Sequence, residues 1–101
     1  MRPEHLVMVS FDYGLESLDP LQSLSKQLET VLKKEAAGML DRHETATDLS
    51  DGLLFMYGHD AEILFRVVRP VLAKTPFMAG ATATLRFGPV GEDTLEITVD
   101  L

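Results

Sequence analysis

The sequence has no cysteine. That excludes a disulfide framework, a thiolate metal site and a cysteine nucleophile, and it suits a reducing compartment. No apolar run approaches the roughly 20 residues of a membrane-spanning helix. The opening Met1-Arg2-Pro3-Glu4-His5 precedes an apolar run of about seven residues, too short for the core of a secretory leader. The expected location is therefore the cytoplasm. Positive charge is scarce: nine Lys and Arg face sixteen Asp and Glu, a formal net charge of −7. Such a field aids solubility, repels phosphate backbones, which argues against nucleic acid, and attracts basic proteins. The catalytic signatures are missing too: no G-x-S-x-G, no phosphate-binding glycine loop, no H-E-x-x-H and no EF-hand loop.

What remains is globular composition, 46% apolar and 25% charged over 101 residues. A chain of this length buries roughly two-thirds of its unfolded surface, enough for one core, and it reads as a single domain over residues 1–101. Val7-Met8-Val9-Ser10-Phe11 is β-branched and aromatic, which predicts a strand over 5–12 closed by Tyr13-Gly14. Asp19-Pro20 opens a helix, with Asp19 as the expected cap, Pro20 at the first helical position and Gln22 completing a capping box. Leu21, Leu24, Leu28, Val31 and Leu32 recur at helical spacing, and Gly38 is the expected stop. Residues 39–45 and 53–57 read as an antiparallel pair around a turn over 48–52, with Asp51-Gly52 its sharpest signal.

Gly58-His59-Asp60 leads into a second helix with the stripe Ile63, Leu64, Val67, Val68, Val71 and Leu72. Pro70 inside it should kink or end the helix. Residues 82–87 and 95–101 alternate as a closing hairpin, joined at Gly88-Pro89-Val90-Gly91. The fold class is therefore α+β, in the order β-α-β-β-α-β-β. Its first six elements follow the ferredoxin-like split βαβ plan, an antiparallel sheet with two helices on one face.

That plan leaves the other sheet face open. With Val7, Val9 and Phe11 toward the helices, Leu6, Met8 and Ser10 point away. On the strand over 53–57 both alternating sets are apolar, so either Leu53, Phe55 and Tyr57 or Leu54 and Met56 join them. An open-face strip built on Met8, Leu54, Met56 and Arg86 is a candidate interface for a protein partner or for a homodimer. A second candidate is an acidic edge of Asp41, Glu44, Asp48 and Asp51, suited to a basic partner.

No catalytic, cofactor-binding or metal-binding residue is assigned. Asp41 and His43 share a strand face, but two ligands do not make a zinc site, and joining them to His59 and Asp60 is remote. His5 is expected to be exposed. A base at His43 or His59 would need a nucleophile or orienting carboxylate that no pattern places beside it.

The run Leu54-Phe55-Met56-Tyr57-Gly58-His59-Asp60-Ala61-Glu62, with Leu85-Arg86-Phe87-Gly88-Pro89 and Gly38-Met39-Leu40-Asp41-Arg42-His43-Glu44, resembles a pattern in small bacterial α+β proteins of unassigned function. Such proteins often carry proline where this chain has His59, a departure confined to the first helical turn. The resemblance implies a free-standing ferredoxin-like domain and no activity. At the level of fold the chain is also similar to toxin-immunity proteins. The expected function is a non-catalytic protein-binding module, an immunity-like inhibitor of a basic partner. The alternative is a small-ligand-binding or regulatory domain acting as a homodimer, with its pocket at the interface.

Overall fold

The alternation of Val7, Val9 and Phe11 with Met8 and Ser10 builds β1 (His5–Asp12), the middle strand of a computed structural model that describes residues 4–88 and 94–101. β3 (Asp51–Gly58) pairs with one side of β1 and β4 (Thr82–Arg86) with the other; β2 (Met39–Thr45) borders β3, and β5 (Glu96–Asp100) borders β4. Every pairing is antiparallel. The order β2-β3-β1-β4 is the ferredoxin-like one, and β5 extends the sheet beyond β4 as expected. The hairpin turn read at Gly88-Pro89-Val90-Gly91 lies in part outside the described residues.

The helices α1 (Asp19–Glu35) and α2 (Ala61–Ala73) pack on each other, α1 also on β2 and α2 on β1, β3 and β4. α1 buries Leu21, Leu24, Leu28 and Leu32, and α2 buries Leu64, Phe65, Val68 and Leu72. They close over Val7, Val9, Leu54, Met56, Ala83 and Leu85 of the sheet. Each fully buried aliphatic side chain here stabilises the fold by about 1.5–3 kcal/mol. A short 3-10 turn, Pro76–Met78, adds a corner that the sequence reading did not contain. Its Phe77 ring sits 5.1 Å from Tyr13 and 5.7 Å from Phe11, centroid to centroid. Tyr13 donates its hydroxyl hydrogen to the Ser17 carbonyl, so the phenol is buried with its polar end satisfied.

The helix ends differ from expectation in instructive ways. Asp19 is the first helical residue rather than the cap: Leu18 occupies that position, and the Ser17 hydroxyl accepts from the Asp19 N–H at 3.3 Å. Asp60 does cap α2, accepting from the N–H groups of Glu62 and Ile63. α2 runs through Pro70 to Ala73. The left-handed residue that ends α1 is Ala36 (φ 51°, ψ 36°), not Gly38, with the Ala36 and Ala37 N–H groups turned back to Lys33 and Leu32 carbonyls. A Cβ in that region costs about 1–2 kcal/mol. Ala36→Gly should therefore raise stability by about 1 kcal/mol, read as a higher urea midpoint at unchanged slope.

The β2–β3 turn is also displaced. Asp51-Gly52 belongs to β3, and the chain reverses over Ala46–Ser50, with Leu49 at φ 61°. Gly52 is buried because the Phe11 ring lies over it.

Candidate functional site

Registers assign the two sheet faces. Val7 lies opposite Met56 and Val9 opposite Leu54, so Leu54 and Met56 share the helix-facing side of β1 and are 0% exposed. This corrects their placement on the open face: five consecutive apolar residues left the phase of β3 undetermined, and pairing with Val7 and Val9 determines it. Leu53, Phe55 and Tyr57 point away from the helices, half-buried.

Met8 lies beside Phe55 on one flank and Thr84 on the other, on the open face as expected. Leu6 lies between Tyr57 and Arg86 and is buried. Arg86 is on the same face, its Nε donating to the Gly88 carbonyl at 3.2 Å.

β2 carries a bulge between Leu40 and Arg42, where Asp41 is the additional residue. The bulge breaks strict alternation. Arg42 comes opposite Phe55 and Glu44 opposite Leu53, on the open face, while His43 pairs with Leu54 on the helix side. Asp41 and His43 therefore do not form the shared face that alternation alone implied. The Arg42 guanidinium lies 4.0 Å above the Phe55 ring centroid and bridges Glu44 at 2.8 Å and Asp41 at 2.7 Å. The Glu44 and Asp41 carboxylates raise the Arg42 pKa further above its ordinary value.

Among the residues of the expected acidic edge, then, Asp41 and Glu44 are already tied to a cation. Asp48 accepts from the Ser50 N–H at 3.0 Å. Hydrogen bonding from Ser50 keeps its carboxyl below the ordinary value, so the turn gains stability above the carboxylate range and loses it as acid protonates Asp48. Asp51 lies opposite Asp12 at the end of the β1–β3 ladder. The edge is thus not one row. Its open-face members join carboxylates that the sequence reading did not single out, Asp12 and Asp100. Two-residue alternation onward from Ser10 and Thr98 was the signal that pointed to both.

The open face is therefore an apolar strip of Leu53, Phe55, Tyr57 and Met8, bordered by Asp12, Glu44, Asp51, Glu96 and Asp100, all five exposed. Its cations are Arg42 and Arg86. Of the nine basic residues in the chain, Lys26, Lys33, Lys34, Arg66 and Arg69 lie on the helices and Lys74 caps α2. The open face therefore sets five carboxylates against two cations, whereas the helices and their caps balance six cations against Asp19, Glu29, Glu35, Asp60 and Glu62.

The histidines stand apart from one another. His5 is half-buried rather than exposed: its Nδ1 accepts from the Ala61 N–H at 3.0 Å at the start of α2, and its ring meets Phe87 edge-on. Nδ1 is thereby committed as a hydrogen-bond acceptor. His59 is exposed, in a cleft of about 270 Å³ with Lys33, Met39 and Tyr57. A larger cleft of about 600 Å³ lies between the start of α1 and the 3-10 turn, against Tyr13, Leu24, Lys74 and Phe77. Among the described residues no three His, Asp or Glu side chains converge as metal ligands. No described helix is long and apolar enough to cross a membrane. No family model, curated protein or solved structure matches the chain.

Proposed function

We propose that this protein is a non-catalytic protein-binding module whose open sheet face receives a basic partner, in the manner of an immunity-like inhibitor. One observation carries the reading: the half-exposed strip Leu53, Phe55, Tyr57 and Met8 is framed by five carboxylates, while most of the cations are on the helix side. An apolar centre with a charged rim is the usual anatomy of a protein interface. Aromatic residues at such a centre supply most of the binding energy, and the rim sets association rate and partner choice. The same carboxylates disfavour stacking this face on its own copy.

Titrating ¹⁵N-labelled protein with a peptide of alternating lysine and tryptophan tests the reading. Shifts should concentrate on β1, β3 and β4 and weaken as salt rises through the Debye-length range. Exchanging Asp12 and Asp51 for lysine should slow association by tenfold or more, and Phe55→Lys should abolish binding without unfolding the chain. Shifts centred on α1 and α2, or unchanged on-rates in the lysine variants, would reject it.

A further inference from the structure

β5 is the terminal strand beyond β4, and no described residue pairs with its outer side. β2, the opposite edge, is guarded by its bulge and by Asp41, Arg42 and Glu44; β5 is short and carries Glu96 and Asp100, but it has no bulge, lysine or proline, so its protection is the lighter of the two. The less guarded edge is the readier template for another strand.

The hydrogen-bond phase of this edge is determined. Phe87 donates to the Leu95 carbonyl and Leu101 to the Ala81 carbonyl, so the odd-numbered residues from Leu95 to Leu101 turn their N–H and C=O groups toward β4. Those of Glu96, Thr98 and Asp100 therefore point outward. On the helix side of the same strand, Leu95 and Ile97 are 60% and 44% exposed, and neither helix packs on β5.

We infer that the β5 edge pairs antiparallel with β5 of a second copy, in a two-fold register centred on Ile97. Outward-facing groups must meet outward-facing groups, which allows a two-fold centre at any residue from Glu96 to Asp100. Centring on Asp100 opposes it to its own copy, and centring on Val99 shortens the ladder and leaves Leu95 outside it. Centring on Glu96 opposes it to its own copy, and centring on Thr98 opposes Glu96 to Asp100 twice. Like charges directly opposite destabilise a ladder. Centring on Ile97 sets Glu96 against Thr98 and Asp100 against Thr94. It also sets Ile97 against itself and Leu95 against Val99, covering both exposed apolar side chains. The result is a continuous sheet through both protomers, with both open faces left uncovered, so the dimer stands independently of the proposed partner site.

The absence of native cysteine makes the register directly testable. The Ile97 pair is non-hydrogen-bonded, with Cα atoms about 4.5 Å apart, within disulfide reach. In this register two copies of residue 98 are two positions out of step, about 8 Å apart, which is beyond it. Ile97→Cys should therefore oxidise to a covalent dimer of twice the 11.2 kDa chain mass, and Thr98→Cys should not. Light scattering of the unmodified protein over micromolar to millimolar concentration should show reversible dimers, tighter in high salt because each chain carries −7. Ile97→Lys, at an exposed position, should weaken dimerisation at least tenfold with an unchanged monomer fold by circular dichroism. A monomer at every concentration, cross-linking through Thr98→Cys instead, or a dimer indifferent to Ile97→Lys would each overturn the inference.

Discussion

Leu54→Ala should lower stability by about 2–5 kcal/mol, while Phe55→Ala, one residue on, should cost only about 1–2. Leu54 is fully enclosed between the sheet and the helices. Truncating it removes the transfer energy of its methyl groups and leaves a cavity whose walls, Val9 and the helix leucines, are held by their own packing. Phe55 is half-buried: the Arg42 guanidinium lies over its ring, and Met8 stands opposite it on β1. Its loss forfeits a partly exposed cation–π contact, about 0.5–1 kcal/mol, plus partial burial. Urea denaturation of both variants checks the ordering. Equal or reversed costs would mean that Leu54 and Met56, not Phe55 and Tyr57, face outward. The two changes should also separate by function: Phe55→Ala should weaken basic-peptide binding while lowering the urea midpoint by less than Leu54→Ala does, and Leu54→Ala should lower the midpoint more while leaving binding by the folded protein near normal.

That contrast marks where sequence reading succeeds and stops. β1 alternates apolar with polar over Val9-Ser10-Phe11-Asp12, so its phase could be read from that half, as could those of β4 and β5 from their own alternation. Leu53 to Tyr57 has no polar residue to break the tie. The tie-breaker is in the sequence but is not local: Phe11 needs a residue without a side chain opposite it, and the β1–β3 register supplies Gly52. Reading Asp51-Gly52 as a turn hid that requirement. The bulge at Asp41 was illegible for a different reason. A single additional residue changes no composition or period before it, yet it brings Arg42 to Phe55 and takes His43 away from Asp41. The end of α1 at Ala36 shows local propensity overridden by tertiary need, since glycine was required two residues later for another purpose.

That purpose gives the largest backbone effect expected in the molecule. At Gly38, φ is 152°, and a Cβ would lie 2.1 Å from the Tyr57 carbonyl oxygen. At Gly58, a Cβ would lie 2.3 Å from the Ala37 carbonyl oxygen. The two glycines let the chain entering β2 and the chain leaving β3 touch backbone to backbone, and a rigid carbonyl cannot swing aside as a side chain could. Gly38→Ala combines that collision with backbone strain of about 1–3 kcal/mol, so it should cost about 3–5 kcal/mol. Gly58→Ala meets the collision without positive φ and should cost about 1–3, as overpacking does. Gly14→Ala separates the two causes: at φ 66° with nothing within 4 Å of its Cβ, it should cost only the strain, about 1–2 kcal/mol. One widening of the strand ends relieves both collisions, so the Gly38→Ala, Gly58→Ala double variant should fall short of the summed losses by about 1 kcal/mol or more. Additive losses would mean that the two sites relax independently. The widening would also move Met39 and Tyr57 apart at the end of the open face, so whichever single variant stays folded should bind the basic peptide less tightly.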